Sequence, residues 1–211
     1  MNKFDPRPAA TRFTATGTKA NAELLHQATA RLSSRRARDM LPGKIETPRL
    51  VLRAPMRGDV PALAVLANNP NIAAKLSRLP SPYTRADATA FVEIYAQRAD
   101  ERPFAITNRK GDLLGIVGFS FAPGQHPELG YWLGEPHWGQ GFATEAVKAL
   151  LEVAFATGHF PVVQAKALQS NAGSINVLTK AGFHRTGEGV MDVAGPNFGQ
   201  PIFGFSLEAP R

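Results

Sequence analysis

The feature that most restricts the fold is an apolar strand, a turn with two glycines and an amphipathic helix in immediate succession. The strand pattern ends near Leu133, Gly139 and Gly141 follow within PHWGQGFATEA, and a helical pattern begins around Phe142. Glycine weakens a helix and loses more conformational entropy on folding than other residues. Two glycines at a helix start therefore indicate a turn that needs backbone without side chains.

The other apolar patterns place this unit in a mixed sheet. Expected strands cover 49–55, the two runs of the hairpin PFAITNRKGDLLGIVGFSF, HPELGYWLGE, PVVQAKAL, Phe183–Val193 and Pro201–Leu207. Expected helices start at a cap by Asp59 and at the capping box Thr84-x-x-Asp87, span Thr144–Ala156, and close at Gly182. Helices and strands in this order predict a mixed α/β (α+β) layer structure rather than a repeating parallel fold.

Composition is typical of a globular chain and excludes several other classes. The 211 residues are 44% hydrophobic and 19% charged, and no apolar run is long enough to span a bilayer. No apolar block follows the N-terminal basic residues as it would in a secretory signal. The absence of cysteine excludes disulfides and thiolate chemistry and favours a cytoplasmic location. The histidines lack metal-ligand spacing, so we expect no metal site.

The positive charge lies at the beginning of the chain. Residues 1–44 hold nine Lys and Arg against three Asp and Glu, whereas residues 45–211 hold 15 against 14. We therefore expect a basic extension over 1–44, with coil followed by a helix over 20–39, and a nearly neutral domain over 45–211. Such an extension contacts RNA, the ribosome or an acidic protein surface, or it is solvated and without function.

The glycine turn has the properties of an anion cradle. Backbone N–H groups at a helix start are unpaired and lie at the positive end of the helix dipole, and glycine lets an anion approach them closely. A Walker loop would need Gly-Lys-Ser/Thr, and a dinucleotide fingerprint would need glycine where Thr144 stands. The residues alone therefore leave two interpretations, a phosphate cradle of another kind and a plain tight turn.

Three motifs together resemble the GNAT superfamily of acetyl-CoA-dependent N-acetyltransferases. They are ETPRLVLR at 46–53, ELGYWLGEPHWGQGFATEAVKALLEVAF at 128–155 and SNAGSINVLTKAGFHRTG at 170–187. The likeness covers roughly 46–208 and is greatest to the ribosomal-protein N-terminal acetyltransferase branch (RimJ/RimL type). It implies a mostly antiparallel central sheet with helices on both faces, splayed at the cofactor site. It also implies acetyl-CoA as cosubstrate, no metal, an amine acceptor, no membrane, and a monomer or homodimer.

The resemblance also assigns cosubstrate-binding residues. The family's pyrophosphate loop falls on Trp138, Gly139, Gln140, Gly141, Phe142, Ala143 and Thr144. Many relatives have Arg or Gln where this chain has Trp138. The strand whose backbone pairs with the pantetheine arm corresponds to Tyr131, Trp132, Leu133 and Gly134. Asn171 and Ser174 match the helix position beside the pantetheine and the thioester.

Acetyl transfer from a thioester needs a neutral amine, a donor for the developing oxyanion and, in some enzymes, a proton for the leaving thiolate. We expect direct attack in a ternary complex, with a backbone N–H near Leu133 as the oxyanion donor. Relatives often use a tyrosine as the acid, but Leu178 stands there, so Ser174 is our candidate. Its alternative role is a local bond to helix backbone. Glu128 or Asp192 is the candidate base, unless an α-amine needs none.

The sequence says least about the identity of the amine acceptor. A protein N-terminal α-amine is our first expectation, and a small amine such as an amino acid, polyamine or antibiotic is the second. A non-catalytic CoA-binding or RNA-associated module is the third. Residues 70–83 are expected to form one wall of the acceptor cleft, and residues 195–201 are expected to form another wall or a dimer contact.

Overall fold

Eight strands form one mixed sheet in the computed structural model, which describes residues 32, 33, 35–77, 79–193 and 195–210. The strands are β1 (Lys44–Glu46), β2 (Leu50–Arg53), β3 (Glu101–Asn108), β4 (Leu113–Ser120), β5 (Glu128–Leu133), β6 (Val162–Leu168), β7 (His184–Val190) and β8 (Pro201–Glu208). Their spatial order is β1-β2-β3-β4-β5-β6-β8-β7. Neighbours pair antiparallel except β5 and β6, which are parallel. The mixed, mostly antiparallel sheet expected from the sequence is confirmed.

Helices cover both faces of this sheet. They are α1 (Val60–Ala67), α2 (Pro70–Ala73), α3 (Arg85–Glu93), α4 (Phe142–Ala156) and α5 (Ala172–Lys180). Short 3-10 turns occupy Arg57–Asp59, Tyr95–Gln97 and Glu135–His137. Buried residues of α1 and α3 form one hydrophobic core with the sheet, and buried residues of α4 and α5 form another.

The strand period of two explains why the sheet separates two cores. Phe104 and Ile106 of β3 are buried with the residues of α4, whereas Ala105 between them is buried with α1 and α3. Successive side chains of a strand point to opposite faces, and both faces of this strand are apolar. Burying both faces therefore requires helices on each side, as the structure has them.

The helix that follows the glycine turn begins and packs as the sequence predicts. Gly141 is its N-cap with φ +80°, a left-handed conformation that glycine adopts without steric penalty. The expected inward side chains of this helix are all buried, namely Ala146, Val147, Leu150, Leu151 and Ala154. Gly182 after α5 has φ +98° and is the left-handed closing residue expected there.

The start of α1 differs from the expectation. The Asp59 carboxylate makes no capping bond to the helix. It accepts hydrogen bonds from the Met56 N–H at 2.9 Å and from the Arg53 guanidinium at 2.7 Å on both oxygens. Because the Asp59 backbone is already helical, its side chain is directed back along the chain. β1 and α2, which the sequence did not indicate, are both very short.

The chain before β1 packs on the domain. Residues 35–40 are helical, and Ala37 and Leu41 are each only 4% exposed within the core that contains α4. Arg38 Nε also donates to the Glu101 carbonyl at 2.9 Å. The part of the expected 20–39 helix before residue 32, and the expected coil at 1–19, lie outside the described residues. The division of the chain at residue 45 stays a prediction.

Candidate active site

Two neighbouring strands diverge in the middle of the sheet. β5 pairs with β4 along its whole length, but it pairs with β6 only through Glu128–Gln164 and Leu129–Ala165. After Leu129 the two strands separate. Helix α4 follows β5 and helix α5 follows β6, so the opening lies between these two units. This is the splay that the resemblance implies.

Alternate backbone groups of β5 face this opening. The Gly134 N–H donates to the Leu114 carbonyl at 2.8 Å, so even-numbered residues at this end of β5 direct their backbone groups to β4. Tyr131 and Leu133 therefore direct theirs to the opposite edge, beyond the last pair with β6. The Leu133 carbonyl accepts from Trp138 Nε1 at 2.8 Å. The edge that remains suits an extended chain carrying amide groups.

The glycine turn lies at the end of this edge and fits a phosphate group. Gly139 and Gly141 have φ +73° and +80°, and a Cβ on Gly139 would meet nothing within 4 Å. Among the hydrogen bonds of the described residues, none uses a backbone N–H of residues 139–144 as donor. Unpaired N–H groups at the start of the 15-residue helix α4 form the positive end of its dipole. Geometry and donors both agree with an anion cradle.

An ion pair braces the turn from the side. The Glu145 carboxylate accepts from Thr47 Oγ1 at 2.6 Å and from Arg49 Nε at 2.6 Å. Arg49 Nη1 donates to the Gln140 carbonyl at 2.9 Å, and the guanidinium lies 4.6 Å from the centre of the Phe142 ring. Burial alone would raise the pKa of Glu145, but the hydrogen bonds from Thr47 and Arg49 outweigh it and hold the pKa below its usual value.

A second brace joins the turn to α2. Asn69 Nδ2 and Asn71 Nδ2 donate to the Glu135 carboxylate at 2.6 and 3.0 Å. Lys75 Nζ lies 4.4 Å from the centre of the Trp138 ring, which is a cation–π contact. Residues 69–75 are thereby fixed against the strand-to-turn segment of the cradle.

A tyrosine and a serine meet across the opening. Tyr131 Oη lies 3.0 Å from the Ser174 carbonyl oxygen and 2.9 Å from Ser174 Oγ. Burial raises the pKa of Tyr131 to about 12, against a smaller lowering by its hydrogen bond with Ser174. Asn171 caps α5 by accepting from the Ser174 N–H at 3.1 Å. Ser174 is thus held by its backbone and by its side chain.

The candidate bases lie in the same cleft, whose volume is about 1040 Å³. Glu128 Oε2 is 3.1 Å from Lys166 Nζ, and both side chains are 39% exposed. Asp192 is exposed and stands two residues after the end of β7, not on the strand as expected. Glu128 therefore has a cationic partner beside it, while Asp192 projects from a loop.

The stretch of the chain that contains most of this site matches a known protein family. A family model described as an acetyltransferase (GNAT) domain matches residues 49–184. The chain belongs to the GNAT acetyltransferase family. The resemblance inferred from the three motifs is confirmed, and the matched range contains the splay, the cradle and α5. The uncharacterized N-acetyltransferase p20 of Bacillus licheniformis is 28% identical over 146 residues, which cover 67% of this chain and 82% of p20.

Solved GNAT structures share the fold at low identity. RimL, a ribosomal L7/L12 alpha-N-protein acetyltransferase in complex with coenzyme A, superposes with a TM-score of 0.70 and 20% identity, covering 78% of this chain and 97% of that one. The spermidine N-acetyltransferase of Vibrio cholerae gives a TM-score of 0.66 and 21% identity, covering 77% and 97%. The chain is an acyl-CoA-dependent N-acetyltransferase with acetyl-CoA as its cosubstrate.

Most of the residues expected at the GNAT site are brought together in the one cleft. Its lining includes Glu128, Tyr131, Trp132, Leu133, Trp138, Gly139, Gly141, Phe142, Ala143, Thr144, Asn171, Ser174 and Asp192. Gly134 and Gln140 are not among the lining residues. A Cβ on Gly134 would lie 2.7 Å from Leu66 Cδ2, so this glycine permits the close approach of α1. The Gln140 side chain donates to the Pro136 carbonyl at 2.9 Å and closes its own turn.

Sequence reasoning missed the contacts that hold these residues in place. Glu145 lies in the first turn of α4, where a carboxylate favours the helix start, but its partner Arg49 is 96 positions away in the sequence. The Tyr131 hydroxyl was not singled out, since the resemblance concerns the backbone of its strand. Within the described ranges, no group of three or more His, Asp or Glu side chains is arranged to hold a metal ion. No helix in the same ranges is long and apolar enough to cross a bilayer.

Proposed function

We propose that this GNAT enzyme acetylates the α-amine at the N-terminus of a polypeptide, by direct attack of the neutral amine on acetyl-CoA. The observation that carries the proposal is the single cleft in which the glycine turn, the open edge of β5 and Ser174 meet. A donor cradle at one end and a hydroxyl between the splayed strands are what a thioester cosubstrate with a phosphate tail requires.

The residues of the cleft divide the task. Backbone N–H groups of 139–144 hold the pyrophosphate, and the backbone edge of Tyr131 pairs with the pantetheine amides, since the Leu133 carbonyl already accepts from Trp138 Nε1. The Leu133 N–H is directed to the opening and is our candidate oxyanion donor. Ser174 is our candidate hydrogen-bond donor to the leaving sulfur. The attacking nitrogen loses its proton to Glu128, Asp192 or water.

The pKa values of the possible acceptor amines favour an α-amine as the acceptor. A terminal amine has a pKa of about 7.7–8.0 and a lysine amine about 10.4. At pH 7.5 roughly a third of the former is neutral, against about one part in a thousand of the latter. Glu128 lies 3.1 Å from Lys166 Nζ, so its carboxylate already has an ion-pair partner and is not a strong candidate base. An acceptor that needs little deprotonation suits this cleft.

The acids of the cleft argue against a polyamine. Recognition of a polycation needs carboxylates that are available to it. Asp87 is engaged in the capping box with Thr84, Glu101 accepts from the Tyr95 hydroxyl at 2.6 Å, and Glu128 pairs with Lys166. Among the described residues, three of the four carboxylates that line the cleft are therefore already bound, and the fourth, Asp192, is a single exposed carboxylate where a polycation needs several. The solved neighbours include enzymes for both kinds of acceptor, since RimL is a ribosomal L7/L12 alpha-N-protein acetyltransferase and the Vibrio cholerae enzyme is a spermidine N-acetyltransferase.

Cosubstrate binding is tested by calorimetry with acetyl-CoA. We expect the wild type to bind and Gly141→Trp to lose binding, since an indole would fill the cradle. Gly111→Trp is the matched control, because Gly111 has φ +92° in the distant β3–β4 turn with open space around it. It carries the same backbone strain and should bind as the wild type does. Equal binding by both variants would contradict the cradle.

The acceptor is tested by thiol release and mass spectrometry with three amines. They are a short peptide with a free N-terminus, the same peptide with a blocked N-terminus and one lysine, and spermidine. We expect acetylation of the first peptide at its α-amine and at least tenfold lower kcat/KM for the other two. Preference for spermidine would instead support the small-amine alternative.

A cytoplasmic location, RNA contact through 1–44 and a monomeric or homodimeric state remain predictions.

A further inference from the structure

Tyr131 and Ser174 lie on opposite sides of the opening between the splayed strands. Tyr131 belongs to β5, whereas Ser174 is in the first turn of α5, which follows β6. The two contacts of the Tyr131 hydroxyl, at 3.0 and 2.9 Å, connect these two units where their strands no longer pair. The tyrosine hydroxyl therefore links the two sides of the cosubstrate channel.

The directions of these hydrogen bonds follow from the groups involved. A carbonyl oxygen only accepts, so the Tyr131 O–H donates to the Ser174 carbonyl. The Tyr131 oxygen is then free to accept, and Ser174 O–H donates to it. In this arrangement the Ser174 hydroxyl is hydrogen-bonded to the Tyr131 oxygen, and this bond fixes Ser174 Oγ in one position.

We propose that Tyr131 is a positioning residue for Ser174, a role that rests on the proposed function. As the carbon–sulfur bond breaks, its electron pair goes to sulfur and the Ser174 O–H turns from Tyr131 to that sulfur. The Tyr131 O–H turns at the same time from the Ser174 carbonyl to Ser174 Oγ. The amine nitrogen forms the new bond to the acetyl carbonyl carbon and gives one proton to water or a carboxylate. The thiolate later takes one proton from water, so the transfer is balanced.

Tyrosine suits this role because it keeps its own proton. Burial raises the pKa of Tyr131 to about 12, whereas a thiol titrates near about 8.5. A full proton transfer from Tyr131 to the thiolate would therefore be unfavourable. A hydrogen bond that changes its acceptor needs no such transfer. The tyrosine ring packs against the core that contains α4, so removal of the hydroxyl alone leaves the packing in place.

The test is a double-mutant cycle on the chemical step, measured as single-turnover thiol release with saturating acetyl-CoA and peptide. Tyr131→Phe should slow this step by about tenfold or more while the acetyl-CoA Kd changes less than about twofold. Tyr131→Phe combined with Ser174→Ala should be no slower than Ser174→Ala alone, since the two hydroxyls act as one unit. Thr179→Val is the matched control, because it deletes an α5 hydroxyl that bonds the Ile175 carbonyl outside the cleft.

Three results would overturn the inference. These are an unchanged rate for Tyr131→Phe, losses that multiply in the double variant, and a slowing that Thr179→Val reproduces. The proposed function fails differently. A wild type that acetylates only spermidine removes the N-terminal acceptor and leaves the cycle to be measured with spermidine. A wild type that acetylates no amine removes both proposals.

Discussion

At the scale of single residues, Glu145 shows how a partly buried carboxylate shapes the cosubstrate turn. Its side chain is 17% exposed and binds Arg49, which in turn holds the Gln140 carbonyl within the turn. The pair therefore joins the segment before β2 to the loop that precedes α4. Loss of the Glu145 charge should loosen the turn and also lower the stability of the domain.

We expect Glu145→Gln to lower the free energy of unfolding by about 1–2 kcal/mol at pH 7. The hydrogen bonds hold the pKa of Glu145 below its usual value of 4.5, so its charge stabilises the fold above that pH. This contribution is lost as the pH falls through the lowered folded-state pKa. The difference between variant and wild type should therefore shrink below about pH 4, as measured by urea unfolding across pH.

Glu152→Gln provides the control for this prediction, because Glu152 lies on the same helix and is exposed. It should change stability by less than about 0.5 kcal/mol at every pH. A Glu145→Gln loss that is the same at about pH 3 and at pH 7 would show that the charge is not its source.

The residues that sequence reasoning could find are those whose signal is local. Gly139 and Gly141 were identifiable because glycines at a helix start are unusual, and the Thr84 capping box because its partners are three residues apart. Asp59 occupies the N-cap position of α1 as predicted, but its carboxylate binds Arg53 and the Met56 N–H instead of the helix. The Arg49–Glu145 pair depends on how β2 packs beside α4, which no spacing encodes.

At the scale of elements, the β7–β8 loop docks on the segment after α2. Asn197 Nδ2 donates to the Leu76 carbonyl at 2.8 Å and to the Ala73 carbonyl at 3.3 Å. A Cβ on Gly195 would lie only 2.1 Å from the Ser77 carbonyl oxygen, so the two backbones are in close contact. The segment 195–201 is therefore fixed to 70–83, which lines the cleft, whereas no residue of 195–201 lines the cleft itself.

We expect Asn197→Ala to raise the acceptor KM by about five- to tenfold, because two backbone carbonyls lose their donor and the loop loosens. The Kd for acetyl-CoA should not change, since the cradle lies on other elements. Steady-state kinetics with the peptide and calorimetry with acetyl-CoA measure the two quantities. Phe198→Ala, in the same loop and 65% exposed, should leave both unchanged. An equal rise in both variants would mean that the docking contact is not what matters.

At the scale of the whole molecule, element order and periodicity were enough to predict a mixed sheet with helices on both faces. They could not predict the limits of the core. A change from basic, helical sequence to alternating strand sequence suggested a boundary at residue 45, yet Ala37 and Leu41 are buried beside the sheet. Two apolar side chains, Ala37 in a charged helix and Leu41 just after it, give too weak a periodic signal to indicate burial.

This burial predicts that the GNAT domain needs the residues just before β1 for its stability. Leu41→Ala should lower the free energy of unfolding by about 2–5 kcal/mol, because it removes a side chain that is 4% exposed in the core. Met40→Ala, next to it and 50% exposed, should change it by less than about 0.5 kcal/mol. Urea unfolding of both variants measures this contrast. A chain that starts at residue 35 should likewise have a higher free energy of unfolding than a chain that starts at residue 44. Equal stability of the two chains would instead support a domain that begins at residue 45, with the preceding segment as an appendage.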